Sequence, residues 1–363
     1  MFGSASQDIT PTVNKLLLWC AVALLFSATV ALATRPVFRR LLPRQRQRAV
    51  PWTTAEIIAA FLLSTICILL VAEVLISSGL AARLYGADVV AQARPPDGSR
   101  GDREALLRLG LLATVLALPL QIVAIFGFLR LASGTRPYQL GLTASRTGRN
   151  VLVGFLVWLI VTPPVLALNA LVERILSRLS GEGIVEHPIT QLAQRGMLPA
   201  EWLLIIFATV VAAPVMEELL FRGVTQRWLA RRWWGGYAAM GAALAASLLY
   251  RSEEIANVLK SAEGRPDWPG LLQAAAPSLF VLALVPGFLW VSRKARTPFG
   301  PALYGTSLFF AAMHSFAWPS PVPLFVLALV LGWLAERTQS LVGPMVLHGL
   351  FNGVACVQLL WGL

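Results

Sequence analysis

Three short stretches hold side chains whose types and spacing could carry out chemistry. The first is Ala213-Pro214-Val215-Met216-Glu217-Glu218-Leu219-Leu220-Phe221-Arg222, with two adjacent carboxylates and a guanidinium at the end of an apolar run. Glu218 and Arg222 are four apart, acid before base, so on a helix they share a face and form the favoured ion pair. Glu217 lies about 100° further round a helix and does not share that partner. One carboxylate is therefore expected to be neutralised structurally while the other faces something else. Pro214, one turn earlier, deletes a backbone hydrogen bond and opens space near Glu217. The second stretch is Phe310-Ala311-Ala312-Met313-His314. The third is His348-Gly349-Leu350-Phe351-Asn352, whose histidine and asparagine share a helix face. Taken singly, EExxxR reads first as a helix salt bridge and HxxxN as a satisfied polar pair. Together they place a glutamate, two histidines and an asparagine on three apolar segments. A carboxylate with an imidazole can hold and deprotonate a water. A second imidazole with a carboxamide N–H can donate to a developing oxyanion, a contribution of about 2.7–4 kcal/mol for a single donor. That is a hydrolysis kit without a Ser or Cys nucleophile. The same groups admit a second reading, in which Glu217, His314 and His348 ligate a divalent metal such as zinc and leave a position for water. The sequence has no HExxH helix to support a standard zinc-protease arrangement.

The elements that position these groups must cross a membrane. The chain of 363 residues is 57% hydrophobic and 13% charged, with mean hydropathy +0.69. A soluble domain carries about 25% charged residues, so a chain this poor in charge has lipid as its solvent for most of its length. The net charge of +12 reads as basic loops on one side of a membrane rather than as a nucleic-acid surface, and no nucleic-acid partner is expected. Apolar runs of spanning length predict an all-α, polytopic helical bundle with about ten spans. They lie near 16–33, 55–79, 109–130, 151–172, 200–221, 236–250, 270–291, 300–317, 321–335 and 341–361. With the N-terminus outside, loops 34–53, 130–150, 222–235, 292–299 and 336–340 are cytoplasmic. They gather most of the basic residues, and their only acid is Glu336. The positive-inside rule thus predicts an even number of spans and both termini outside. The run from Leu16 to Ala33 is too long for the apolar core of a signal peptide and reads as a retained span.

Several other groups receive bland readings. Cys20, Cys67 and Cys356 each lie inside an apolar run and read as buried structural thiols rather than a disulfide framework. Ala238, Ala242 and Ala246 form a small-residue stripe expected to pack against another helix. His187 reads as a solvated loop histidine, Arg94–Arg103 as a turn-rich loop, and Glu73 as an unassigned intramembrane acid.

EExxxR, FxxxH and HxxxN, in that order on membrane helices, resemble the CPBP family of intramembrane proteases. This family includes CAAX prenyl proteases, bacteriocin-processing proteins and abortive-infection proteins. The resemblance covers about residues 200–355. It implies peptide-bond hydrolysis within the membrane, with Glu217 and His314 activating water and His348 and Asn352 stabilising the oxyanion. It further implies that Glu218 and Arg222 hold the motif helix in shape while Phe310 packs beside the site. A metal-dependent and a metal-free glutamate mechanism are both argued for the family, so the cofactor stays open between a divalent metal and none. The domain reading is 1–150, N-terminal spans without a motif, and 151–363, a protease core with an inserted helical hairpin at about 233–298. The expected partners are the lipid bilayer and a membrane protein or peptide substrate. The expected location is the plasma (inner) membrane if the source is bacterial. An alternative keeps the polar cluster but not the chemistry: a non-catalytic scaffold or bacteriocin-immunity-type protein that uses these groups for packing or partner binding. An ion-coupled transporter fits less well, because corresponding pairs of broken helices are missing from the two halves.

Overall fold

A computed structural model describes residues 10–42, 48–95, 101–144, 146–180, 199–261 and 267–361 of the chain. The regular elements among them are all helical. They are α1 (Thr10–Leu41), α2 (Thr54–Ser77), α3 (Leu80–Tyr85), α4 (Ala87–Ala93), α5 (Arg103–Ser133) and α6 (Thr147–Ser180), followed by a long composite helix α7 over 199–229. Then come α8 (Gly235–Ser261), α9 (Trp268–Ala283), α10 (Val285–Lys294), α11 (Phe299–Ala312), α12 (Pro321–Thr338) and α13 (Val342–Trp361).

Among the described residues, eight helical segments are long and apolar enough to cross a membrane: Lys15–Phe38, Thr54–Ser77, Arg103–Ser133, Thr147–Arg178, Ala200–Leu229, Trp268–Lys294, Pro321–Thr338 and Val342–Trp361. The all-α polytopic bundle expected from the sequence is therefore the fold. The other two of the ten expected spans are also helices, but each falls short on one count. The α8 helix runs on past its apolar part through Arg251, Glu253, Glu254 and Lys260, and α11 is only 14 residues long. His187 and residues 96–100 of the turn-rich loop lie outside the described residues.

The chain divides into two units, each assembled from three segments. One comprises Met1–Pro43, Phe155–Val185 and Gly236–Val330. Its core includes Met240, Ala243, Val281, Phe288, Leu308, Ala311 and Phe325. Here α8 and α11 touch backbone to backbone. A Cβ on Gly305 would lie 2.6 Å from the Gly236 carbonyl, and one on Gly236 would lie 2.7 Å from Pro301. The buried stripe of α8 is Gly236, Ala239, Ala243 and Ala246, while Ala238 is exposed. The expected small-residue stripe exists, turned by one position for most of its length. Hydroxyls of Ser247 and Ser278 meet at 3.0 Å between α8 and α9, and Tyr304 donates to the Leu284 carbonyl at 2.9 Å.

The other unit comprises Arg44–Gly154, Glu186–Gly235 and Leu331–Leu363. The N-terminus of α2 is closed by a capping box, in which the Thr53 backbone N–H donates to Glu56 at 2.6 Å. Asp102 caps α5 by accepting from the N–H groups of Glu104 and Ala105. Gly134 ends α5 at φ 67, a left-handed conformation that suits glycine. In lipid there is no hydrophobic force between helices, so polar and small residues must hold them. Gln121 of α5 donates to the carbonyl and hydroxyl of Ser64 on α2. Arg108 of α5 bonds Glu104 in its own helix and Glu201 at the start of α7. The unassigned Glu73 makes an exposed ion pair with Arg94 at 3.0 Å.

Candidate active site

The α7 helix is not a regular α-helix, and its irregularity begins with Pro214. Residues Ala208–Ala212 and Glu218–Gln226 are wound as π-helix around a short α-helical segment, Ala213–Glu217. The Ala213 N–H reaches back to the Ala208 carbonyl, one residue further than an α-helix allows. Pro214 has no N–H to offer. The Thr209 carbonyl is thus left over, and the side-chain amide of Asn352 on α13 donates to it at 2.8 Å. The neighbouring Val210 carbonyl lies against Gly349, where a Cβ would come within 2.5 Å of the oxygen. Gly349 is therefore what lets α13 approach α7 this closely. Further along the wide π stretch, the Trp52 indole donates to the Val224 carbonyl at 3.1 Å, and the Gln226 amide donates to the Gly332 carbonyl at 2.9 Å. Thr209 adds a second tie to α13 through its hydroxyl, 2.9 Å from the Cys356 sulfur.

With α7 and α13 in register, His348 faces both adjacent glutamates. Its Nδ1 lies 2.9 Å from Glu218 Oε1, and its Nε2 lies 3.7 Å from Glu217 Oε2. A carboxylate can only accept, so the Nδ1 proton is donated to Glu218. Arg222 approaches the same Glu218 oxygen at 3.1 Å. Glu218, Arg222 and His348 are all deeply buried, whereas the Glu217 side chain retains 27% of its exposure. Glu218 is ion-paired and buried, and Glu217 keeps an open side. The Oε2 atoms of both glutamates are buried without a hydrogen-bond partner among the described residues. What sequence reasoning missed is the second task of Glu218, which orients His348 as well as binding Arg222. Only the HxxxN motif hinted at it, by putting a ring and an amide on the face of α13 that meets α7.

Phe310 and His314 belong to the other unit. Phe310 is fully buried in α11, and its ring packs 5.0 Å from the His314 imidazole. His314 follows the last turn of α11, half-buried, with Nδ1 3.0 Å from the Phe310 carbonyl. Since the carbonyl can only accept, Nδ1 carries the proton and a neutral ring presents a lone pair at Nε2. Phe310 thus supplies both a packing face and the acceptor that fixes the tautomer.

Among the described residues, no three His, Cys, Asp or Glu side chains are grouped to hold a metal ion. Residues 199–354 match the family described as Type II CAAX prenyl endopeptidase Rce1-like, in agreement with the resemblance to CPBP proteases. The family so described is one of CAAX prenyl endopeptidases, and the match lies within the C-terminal half of the chain. No curated protein and no solved structure matches the chain.

Proposed function

We propose that the chain hydrolyses a peptide bond of a membrane-embedded protein or peptide, with Glu217 as the base that removes a proton from water. The observation that carries this reading is the buried arrangement Arg222–Glu218–His348, with the more open Glu217 beside it. Glu218 is committed to Arg222 and His348, and Glu217 is the carboxylate left to take a proton. With Nδ1 donating to Glu218, His348 turns its other ring nitrogen towards Glu217, where as a donor it would meet the negative oxygen of a tetrahedral intermediate. The Asn352 amide, aimed by the Thr209 carbonyl through one N–H, keeps a second N–H for the same oxyanion. The family resemblance alone gives His314, whose tautomer is set by Phe310, a share in activating the water. On completion, the proton held by Glu217 passes to the leaving amine. The stretch at about 233–298 is read as an insertion within the protease core, with both termini outside the cytoplasm.

The same contacts would also glue α7 to α13 in a non-catalytic scaffold, and one variant separates the two readings. Glu217→Gln keeps the shape and hydrogen-bonding capacity of the side chain but cannot act as a base. In cells expressing equal amounts of either protein, membrane-protein termini present with wild type should vanish with Glu217→Gln. A loss of about 10²–10⁴ in turnover is expected from removing a general base. Identical termini in the two strains would favour the scaffold.

A further inference from the structure

We infer that the far end of α7 holds a phosphate-class anion, presented by an acidic lipid headgroup, on the side edge of Arg227. Arg227 is buried, with 7% exposure, and its Nη1 donates to Gln339 Oε1 at 3.0 Å. Among the described residues, its Nε and Nη2 atoms are buried with no hydrogen-bond partner. Those two atoms form the edge of the guanidinium that carries two parallel N–H groups, the edge that fits a pair of anionic oxygens. Unsatisfied buried donors of this kind are costly, and an anionic acceptor from outside the chain would satisfy them.

The surroundings offer positive charge and few spare acceptors. The guanidiniums of Arg48 and Arg231 lie within electrostatic reach of Arg227, with Glu336 as the nearby acid. The Glu336 side chain and carbonyl both accept from the Gln339 amide. The Tyr138 carbonyl accepts from Arg48, and the Arg48 carbonyl accepts from Arg231. Gly141, at φ 89, packs closely on Arg227, where a Cβ would come within 2.7 Å of Nη2. Arg231 is exposed and Arg48 half-buried, which gives an anion a charged approach.

A lipid fits the place better than a free ion. The apolar helix Ala200–Leu229, long enough to span, ends two residues past Arg227, which would put the guanidinium near the level of headgroup phosphates. Trp233 and Trp234 are 57% and 52% exposed just beyond it, as expected of an interfacial aromatic belt. Basic residues at that depth attract acidic lipids.

The test uses the full chain in detergent, its thermal unfolding midpoint followed during titration with dihexanoyl phosphatidylglycerol, dihexanoyl phosphatidylcholine or inorganic phosphate. Phosphatidylglycerol should raise the midpoint at about tenfold lower concentration than phosphatidylcholine. Arg227→Lys keeps the charge but loses the fork, and should weaken the phosphatidylglycerol effect about tenfold. Arg48→Gln, at a half-exposed position, should weaken it a few-fold and decides the matter if Arg227→Lys does not fold. Inorganic phosphate acting as strongly as phosphatidylglycerol would keep the anion site but assign it to a free ion. The inference falls if the two lipids act alike on wild type, or if the variants leave the phosphatidylglycerol effect unchanged.

Discussion

Two helix pairs, one in each unit, meet at a glycine pressed against a carbonyl, and they use that closeness differently. Between α8 and α11, Gly305 lies against the Gly236 carbonyl, and the residues around the contact are alanines and large apolar side chains. Between α7 and α13, Gly349 lies against the Val210 carbonyl, and the residues around it are Thr209, Asn352, His348 and Glu218. The first pair shows that this chain can join helices in lipid by small residues alone. Interhelical hydrogen bonds add only about 0.6 kcal/mol on average in membranes. A buried ion pair is weak evidence for stability, because its desolvation offsets its attraction. The polar apparatus at α7–α13 is therefore more than adhesion requires, which is a physical reason to read it as chemistry.

Four substitutions test that contrast. The largest effect is expected for Glu218→Ala, which removes the carboxylate shared by Arg222 and His348. Breaking such a buried pair costs about 3–5 kcal/mol, so both folded yield and activity should fall. A normal unfolding midpoint with lost activity would show that Glu218 serves only to orient His348. Gly349→Ala should come next. Its Cβ pushes α13 off α7, at about 1–3 kcal/mol for overpacking and about a hundredfold in turnover per folded molecule for misplacing His348. Gly305→Ala should cost a similar 1–3 kcal/mol in stability yet leave turnover per folded molecule unchanged. Equal loss of turnover in the two glycine variants would erase the distinction between the pairs. The smallest effect belongs to Ser278→Ala, about 0.5–1.5 kcal/mol for one hydrogen bond to Ser247, read from the unfolding midpoint alone.

The sequence made some of this visible and concealed the rest for definite reasons. The Glu218–Arg222 pair follows from four-residue spacing, and it survives in a π-helical stretch because residues four apart still lie close there. The partition of roles between Glu217 and Glu218 follows from the same geometry. The bond from Glu218 to His348 joins residues 130 apart, and local periodicity says nothing about it. The π turns were hidden because a helical wheel assumes one fixed winding; only Pro214 marked the place. On α8 the alanine spacing misplaces the stripe by one residue because alanine and glycine both pack closely, and Gly236 shifts the buried face. Arg227 looked like one more basic loop residue, because burial is a tertiary fact. The short α11 was read as a span because composition ignores where a helix stops, here at Met313 just before His314.

The interleaving of segments has a consequence for how the molecule comes into being. Ribosomes deliver the chain from its N-terminus, and the last component of the Glu218 cluster arrives 130 residues after that glutamate. During that interval Glu217 and Glu218 are already in the bilayer without His348 or Asn352. If Glu217 is the base proposed above, a chain made only as far as α12 lacks His348 and Asn352 and is inert toward its neighbours in the crowded insertion machinery, so the order of manufacture acts as a safety catch.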